Sequence, residues 1–197
     1  MSDTRSYPRR VATDAGDIES RLMARADEAA VLAFAQELPT HDLLFLPRNI
    51  SQPKVLSAWI NEIERGAITS LLAVKDAQVV GCGTLVRDPH SWSPHVGEIR
   101  MVLSLDVRGQ GVGRALSQET FALALDAGLE KLSVQMTVDQ QAAIALFESL
   151  GFKAEALLRD HVRDIDGRTH DIVVLGHNIA QVQAQLEAYG VPGAVQH

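Results

Sequence analysis

Cys82 is the only cysteine among 197 residues, so no disulfide can close within the chain. Aromatic residues are scarce at 5%; the only phenols are Tyr7 and Tyr189, and the only indoles Trp59 and Trp92. No run of 18 apolar residues occurs, which argues against a spanning helix, and no membrane partner is expected. Positive charge is in deficit: 18 Lys plus Arg stand against 25 Asp plus Glu, a formal charge of −7. Sequence-independent nucleic-acid binding needs a basic surface, so no nucleic-acid partner is expected. The first ten residues lack the apolar stretch of a signal peptide, which makes a reducing cytoplasm the expected compartment. Also missing are the G-x-G-x-x-G dinucleotide fingerprint, the ATP-type loop with its lysine, and the H-E-x-x-H metal spacing. Seven histidines are present, yet neither His90 with His95 nor Asp160, His161, His170 and Asp171 show a recognised ligand spacing, so no metal is expected. There is no internal repeat.

What is present suits a soluble globular protein: 46% hydrophobic and 22% charged residues, in a length that fills one domain. Residues 1–17 are polar and read as a flexible N-terminal arm. A strand is expected from Ile18 to Arg25, then a helix from Glu28 to Leu38 capped by Asp27 and ended by Pro39. Leu43-Leu44-Phe45-Leu46 reads as a buried loop core. A second helix runs to Arg65, with Ser51 as its cap and Pro53 in its first turn. Strands follow at Ala67–Lys75 and Gln78–Arg87 across an Asp76-Ala77 turn, and at Gly97–Leu105. The last places Ile99, Met101, Leu103 and Leu105 on one face and Glu98, Arg100, Val102 and Ser104 on the other. A helix covers Val112–Ala127, a strand Lys131–Val138, and a further helix, capped by Asp139, Gln140–Leu150. Strands Phe152–Asp164 and Arg168–Ile179 flank Asp166-Gly167, a strong hairpin signal. Residues 180–197 read as a C-terminal extension, a short helix and tail, whose service as a homodimer arm is left open.

The most informative stretch joins a strand to a helix: Val107-Arg108-Gly109-Gln110-Gly111-Val112-Gly113-Arg114. The first helical N–H groups lack intrahelical partners and carry partial positive charge, so they can wrap a phosphate. Glycines at 109, 111 and 113 tolerate positive φ and remove Cβ atoms that would hold a diphosphate away. Arg108 and Arg114 add charge at both ends. Without its context, the stretch also reads as an ordinary turn and helix cap.

The order β-α-α-β-β-β-α-β-α-β-β, with Arg108-x-x-Gly111-x-Gly113 after the fourth strand, resembles the GNAT superfamily of N-acetyltransferases. A second family element, N-x-x-A-x-x-L-Y-x-x-x-G-F, is matched by Gln140 through Phe152. The resemblance spans residues 18–179 as one acetyltransferase domain. It implies an α+β, three-layer fold: a mixed, mostly antiparallel sheet of about seven strands, splayed between the fourth and fifth. It implies acetyl-CoA as cosubstrate. The backbone N–H groups of Gln110, Gly111, Val112, Gly113 and Arg114 would hold the diphosphate, with Arg108 and Gly109 also in the cofactor site. Met101, Val102 and Leu103 would offer strand-edge hydrogen bonds to the pantetheine, and Gln140 and Phe147 would complete the cofactor site. Glu98 resembles the glutamate that some members use as general base. Many members place a tyrosine acid where this chain has Phe147, and Gln140 stands for the family asparagine.

The implied reaction is attack of a primary amine of a small molecule, amino acid, peptide or protein on the thioester. A lysine-like amine is about one part in 10³ neutral at pH 7, and freeing it costs roughly 4–5 kcal/mol. Glu98 alternatively pairs with Arg100 as an ordinary strand ion pair. Trp92 reads either as a groove wall or as a core plug, and Cys82 as core. The missing tyrosine keeps a second reading alive, a non-catalytic CoA sensor or partner subunit. A third is a different phosphate-ligand protein sharing only the glycine turn.

Overall fold

The computed structural model describes residues 6–44, 46 and 48–180. Phe45 of the expected loop core, Tyr189 and the extension beyond Ala180 lie outside the described residues. One eight-stranded sheet runs in the order β1-β2-β3-β4-β5-β6-β8-β7. Its strands are β1 (Arg9–Thr13), β2 (Gly16–Leu22), β3 (Ile68–Lys75), β4 (Gln78–Arg87), β5 (Val96–Leu103), β6 (Lys131–Thr137), β7 (Lys153–Arg163) and β8 (Thr169–Asn178). All neighbours are antiparallel except β5 and β6. That parallel pair needs a crossover, which helix α3 (Val112–Asp126) supplies.

Residues 1–5 of the expected arm lie outside the described residues, and within its remainder the structure has a strand. Arg9–Thr13 pairs with Gly16–Ser20 as a hairpin. Polar composition did not leave it loose, because Tyr7 and Arg9 reach across α3 to buried Glu119: the Tyr7 hydroxyl donates to its Oε2 at 3.1 Å and Arg9 lies 3.4 Å from Oε1.

Helices α1 (Glu28–Glu37) and α2 (Pro53–Glu64) pack on one face of the sheet through Val31, Phe34, Leu56 and Ile60, against Leu72, Cys82 and Val102. Helix α3 and helix α4 (Gln141–Ser149) cover the other face. There Ile99, Leu132, Val134 and Phe147 form one buried cluster, and Ile18, Leu71, Val112 and Leu116 another. Alternation therefore sorts β5 as the sequence suggests as far as Leu103; Leu105, expected on the inward face, lies past the strand's end in a 3₁₀ turn and is exposed. Cys82 is core, and burial pushes its thiol up to about 11.

Three expected caps are used differently. Asp27 flanks α1, but its carboxylate turns back to Arg21 (2.7 and 2.9 Å) and the Ala24 amide; Arg21 chiefly holds Asp27 below the usual carboxylate range. Gln52, not Ser51, precedes α2, because Ser51 is engaged by Asn49. Gln140, not Asp139, caps α4. Both hairpin turns form: Asp76 and Ala77 adopt φ of 49° and 64°, and Gly167 adopts 81°.

Candidate active site

Strands β5 and β6 pair from Val96↔Lys131 only as far as Ile99↔Val134. Beyond that point β5 stays paired to β4 through Leu103, while β6 stays paired to β8 through Thr137. The sheet therefore opens a gap bounded by Arg100–Leu103 and Gln135–Thr137. It opens at the C-terminal end of β5, where the chain turns through Leu105–Val107 into α3, so the gap and the glycine turn share one end of the sheet. A strand edge freed from its neighbour offers backbone N–H and C=O groups to an amide-bearing chain.

The side chains of Met101, Val102 and Leu103 all point into cores. Only their backbone is left for the gap, and the Leu103 carbonyl already accepts from Arg108 Nη2 at 2.9 Å.

At the turn, Gly111 is the residue before α3 and sits at φ 82°, the left-handed region that favours glycine. Gly109 (φ 71°) faces open space. Gly113 is small for another reason: a Cβ there would meet Leu103 Cδ1 at 3.0 Å and Leu146 Cδ2 at 3.2 Å, so it lets α3 sit on β5 and α4. The fit to a diphosphate lies in the backbone amides of Gln110 to Arg114, which open a 15-residue helix behind two positive-φ glycines. Side chains contribute less than expected. Arg108 is committed to Asp42 (2.6 Å) and Leu103, and Arg114 to Ser149 Oγ (2.9 Å). Val112 is fully buried. The Gln110 carbonyl accepts from the Ala15 amide at 3.3 Å, so the β1–β2 turn leans on the loop.

On the α1/α2 face lies a cleft of about 490 Å³. Its walls are Thr40, Leu43, Leu44, Leu46, Arg48 and Asn49 from between α1 and α2, Glu98 and Arg100 of β5, Gln135 of β6, the 161–165 hairpin and Ile172. Glu98 is partly open, with 26% of its side chain exposed, and Arg100 binds both its oxygens: Nε–Oε1 2.8 Å and Nη2–Oε2 3.2 Å. The carboxylate is thus oriented, and its remaining lone pairs stay available toward the cleft.

Phe147 does not reach this cleft. It is 3% exposed and packs edge-to-face on Phe152, centroids 5.2 Å apart, in the core beneath α4. The apolar face of an amphipathic helix takes it inward. Gln140 is half-exposed, and its carbonyl accepts from Ala143 and Ile144 at 3.0 Å. Trp92 is fully exposed in the β4–β5 loop, neither groove wall nor core plug.

The sequence reading missed the segment between α1 and α2. Its 3₁₀ turn Thr40–Leu43 straddles the mouth of the gap. His41 Nε2 meets Asp139 Oδ2 at 2.7 Å on the β6 side, while Asp42 meets Arg108 on the β5 side. Burial works to raise Asp139, but hydrogen bonds from Thr137 and its own backbone amide, with His41 nearby, hold it below the usual range. The His41 ring lies edge-on to His170 (5.1 Å), which pairs with Asp164 at 2.8 Å. Adjacent His and Asp after Pro39 was the sole signal, and nothing local says what they reach.

The model of the acetyltransferase (GNAT) family matches residues 33–152. Among curated proteins, the [ribosomal protein bS18]-alanine N-acetyltransferase of Escherichia coli K12 is 35% identical over 69 residues, which are 35% of this chain and 47% of that protein. The chain spans less than half the length of the first curated relatives it matches. Among solved structures, a GNAT-family acetyltransferase from Streptococcus pneumoniae superposes with a TM-score of 0.71 at 20% identity, over 82% of this chain and 99% of that one. The protein yncA from Salmonella typhimurium, solved with its cofactor acetyl-CoA, gives 0.70 at 18%, over 82% and 94%. A sheet opened between β5 and β6 beside a glycine-led helix, together with a family model covering more than half its length, places this chain in the acetyltransferase (GNAT) family.

Proposed function

We propose that the chain is an acetyl-CoA-dependent N-acetyltransferase that moves an acetyl group to a primary amine. The observation that carries this is the end of β5–β6 pairing at Ile99↔Val134, directly beside the amides that open α3. Acetyl-CoA supplies an activated thioester. In this reading the amides of Gln110–Arg114 hold its diphosphate, with Gly109 and Gly111 shaping the turn. The edge of Met101–Leu103 aligns the pantetheine, and Gln140 borders it at the head of α4. The amine enters from the cleft on the α1/α2 face, and Glu98, fixed by Arg100, accepts its proton directly or through a water. Its kinship to an E. coli enzyme named for acetylating an alanine of ribosomal protein bS18 supports an amine acceptor. No described helix is long and apolar enough to cross a membrane. A cytoplasmic setting is proposed with it, in keeping with a single, buried thiol.

With Phe147 in the core, the departing thiolate has no tyrosine at that position. A thiol near the cysteine value of about 8.5 is acidic enough to leave with little help. Thermal shift with acetyl-CoA, CoA and ATP, followed by thiol release over an amine panel, tests the reading. Stabilisation by acetyl-CoA and amine-dependent thiol release are expected. Stabilisation by CoA species without amine-dependent release favours a CoA sensor, and a response to ATP alone favours a different phosphate-ligand protein and refutes the acetyl-CoA reading.

A further inference from the structure

We propose that the acceptor is a small amine that also carries a carboxylate, and that the guanidinium groups of Arg48 and Arg163 at the cleft wall dock that acid. The inference deepens the acetyl-transfer reading and rests on it. Its basis is the charge left over in the cleft. Two acids line it, and both are satisfied. Glu98 is gripped on both oxygens by Arg100. Asp164 is bound by His170 at 2.8 Å and by the amides of Asp166 and Arg168, each at 2.9 Å. Of the three arginines that line the cleft, Arg100 is paired with Glu98 and the other two are not. Arg48 and Arg163 line the same cleft, and both stand exposed with no hydrogen-bond or ion-pair partner among the described residues.

The chain as a whole carries −7, so two uncompensated guanidiniums lining one cleft, from two different segments, invert the local sign. A guanidinium fork matches the two oxygens of a carboxylate, which a lone ammonium does not. The opposite requirement is met at β5, where Glu98 presents its partly open carboxylate beside the start of the β5–β6 gap. The same cleft is lined by apolar Leu43, Leu46 and Ile172, suited to the short carbon skeleton of an amino acid. A volume of about 490 Å³ falls within the roughly 300–1,000 Å³ of small-molecule sites. An amine with an acid at its far end would be held in one orientation, amine toward the gap.

Matched amino acids and their carboxamides, compared as acceptors at saturating acetyl-CoA, test this. An amide has the less basic amine, so chemistry alone favours it; any preference for the acid comes from binding. The acid is expected to win by at least tenfold in kcat/KM, the scale of a charge-assisted hydrogen bond. The double variant Arg48→Gln, Arg163→Gln should bring that ratio toward one through the KM of the acid, and Arg48→Lys, Arg163→Lys should recover part of it. Amides or neutral peptides used as well as the acids overturn the inference, as does a glutamine double variant that keeps the preference. Stabilisation by acetyl-CoA with no amino acid acetylated overturns it as well. No acetyl-CoA thermal shift in the parent protein defeats the transferase reading itself, and this inference with it.

Discussion

Placing a side chain at Gly111 tests the diphosphate grip most directly, because the structure separates strain from ligand repulsion there. Gly111 sits at φ 82°, so any other L-residue pays for left-handed backbone, roughly 1–2 kcal/mol. Space is not the obstacle: the nearest atoms to an added Cβ are Thr13 Cβ at 3.7 Å and the Asp14 amide nitrogen at 3.8 Å. Gly111→Ala should therefore fold and lose stability by that strain alone, about 2–8 °C in Tm at about 2–4 °C per kcal/mol for a chain of this size. Gly111→Glu carries the same strain plus a carboxylate aimed where the diphosphate would lie, with Asp14 Oδ2 already 4.0 Å from the Cβ position. Two like charges about 4 Å apart cost about 4 kcal/mol at the effective dielectric near a protein surface, or about three orders of magnitude in affinity. Acetyl-CoA at 100 times its Kd stabilises a protein by about 2.7 kcal/mol, which is roughly 5–10 °C here. Differential scanning fluorimetry should show that rise in the parent, a reduced rise in Gly111→Ala, and none in Gly111→Glu. A glutamate variant that melts near the alanine variant yet keeps the full acetyl-CoA rise would refute the assignment of these amides to the diphosphate.

Glu98→Gln should cut kcat at least a hundredfold, the lower end for a lost proton acceptor, while isothermal titration finds acetyl-CoA affinity little changed. If kcat falls less than fivefold, Glu98 is the Arg100 partner and nothing more. Phe147→Tyr places a hydroxyl in an apolar pocket against Phe152 and should cost about 1–3 kcal/mol in urea unfolding with acetyl-CoA Kd within a few-fold; a tenfold loss of binding would put the ring at the cofactor. Burial pushes His177 below the usual histidine value, and its Nδ1 has no partner among the described residues. The unfolded chain then binds a proton that the folded one refuses. Stability due to this group is full above about pH 6.5 and falls as pH drops below it, by at most about 1.4 kcal/mol per pH unit. His177→Leu should flatten that limb in urea titrations at pH 5 and 7, and an unchanged slope would assign it elsewhere.

The glycine turn and the alternation of β5 were legible in sequence because each is a local rule: positive φ wants glycine, and period two sorts Glu98 and Arg100 from Ile99 and Met101. The caps at Asp27 and Asp139 were misjudged because a carboxylate chooses among partners that only folding assembles, Arg21 for one and His41 for the other. Residues 9–13 were read as loose because their tie, Glu119, lies more than a hundred positions away. Phe147 follows the same logic. Its sequence position matches a site tyrosine, but the phenyl ring has no polar atom to keep it at the gap, and packing on Phe152 draws it into the core.

The sequence by itself determined the order of the elements from β2 onward, the faces of β5 and the turn before α3, since all three follow from steric and periodic preferences of neighbouring residues. Only the tertiary structure decided where β5 and β6 part, that the Thr40–Leu43 turn spans that opening through Asp139 and Arg108, and that Arg48 and Arg163 share a cleft with Glu98. Those features join segments far apart along the chain, and their energies come from contacts that no single stretch contains.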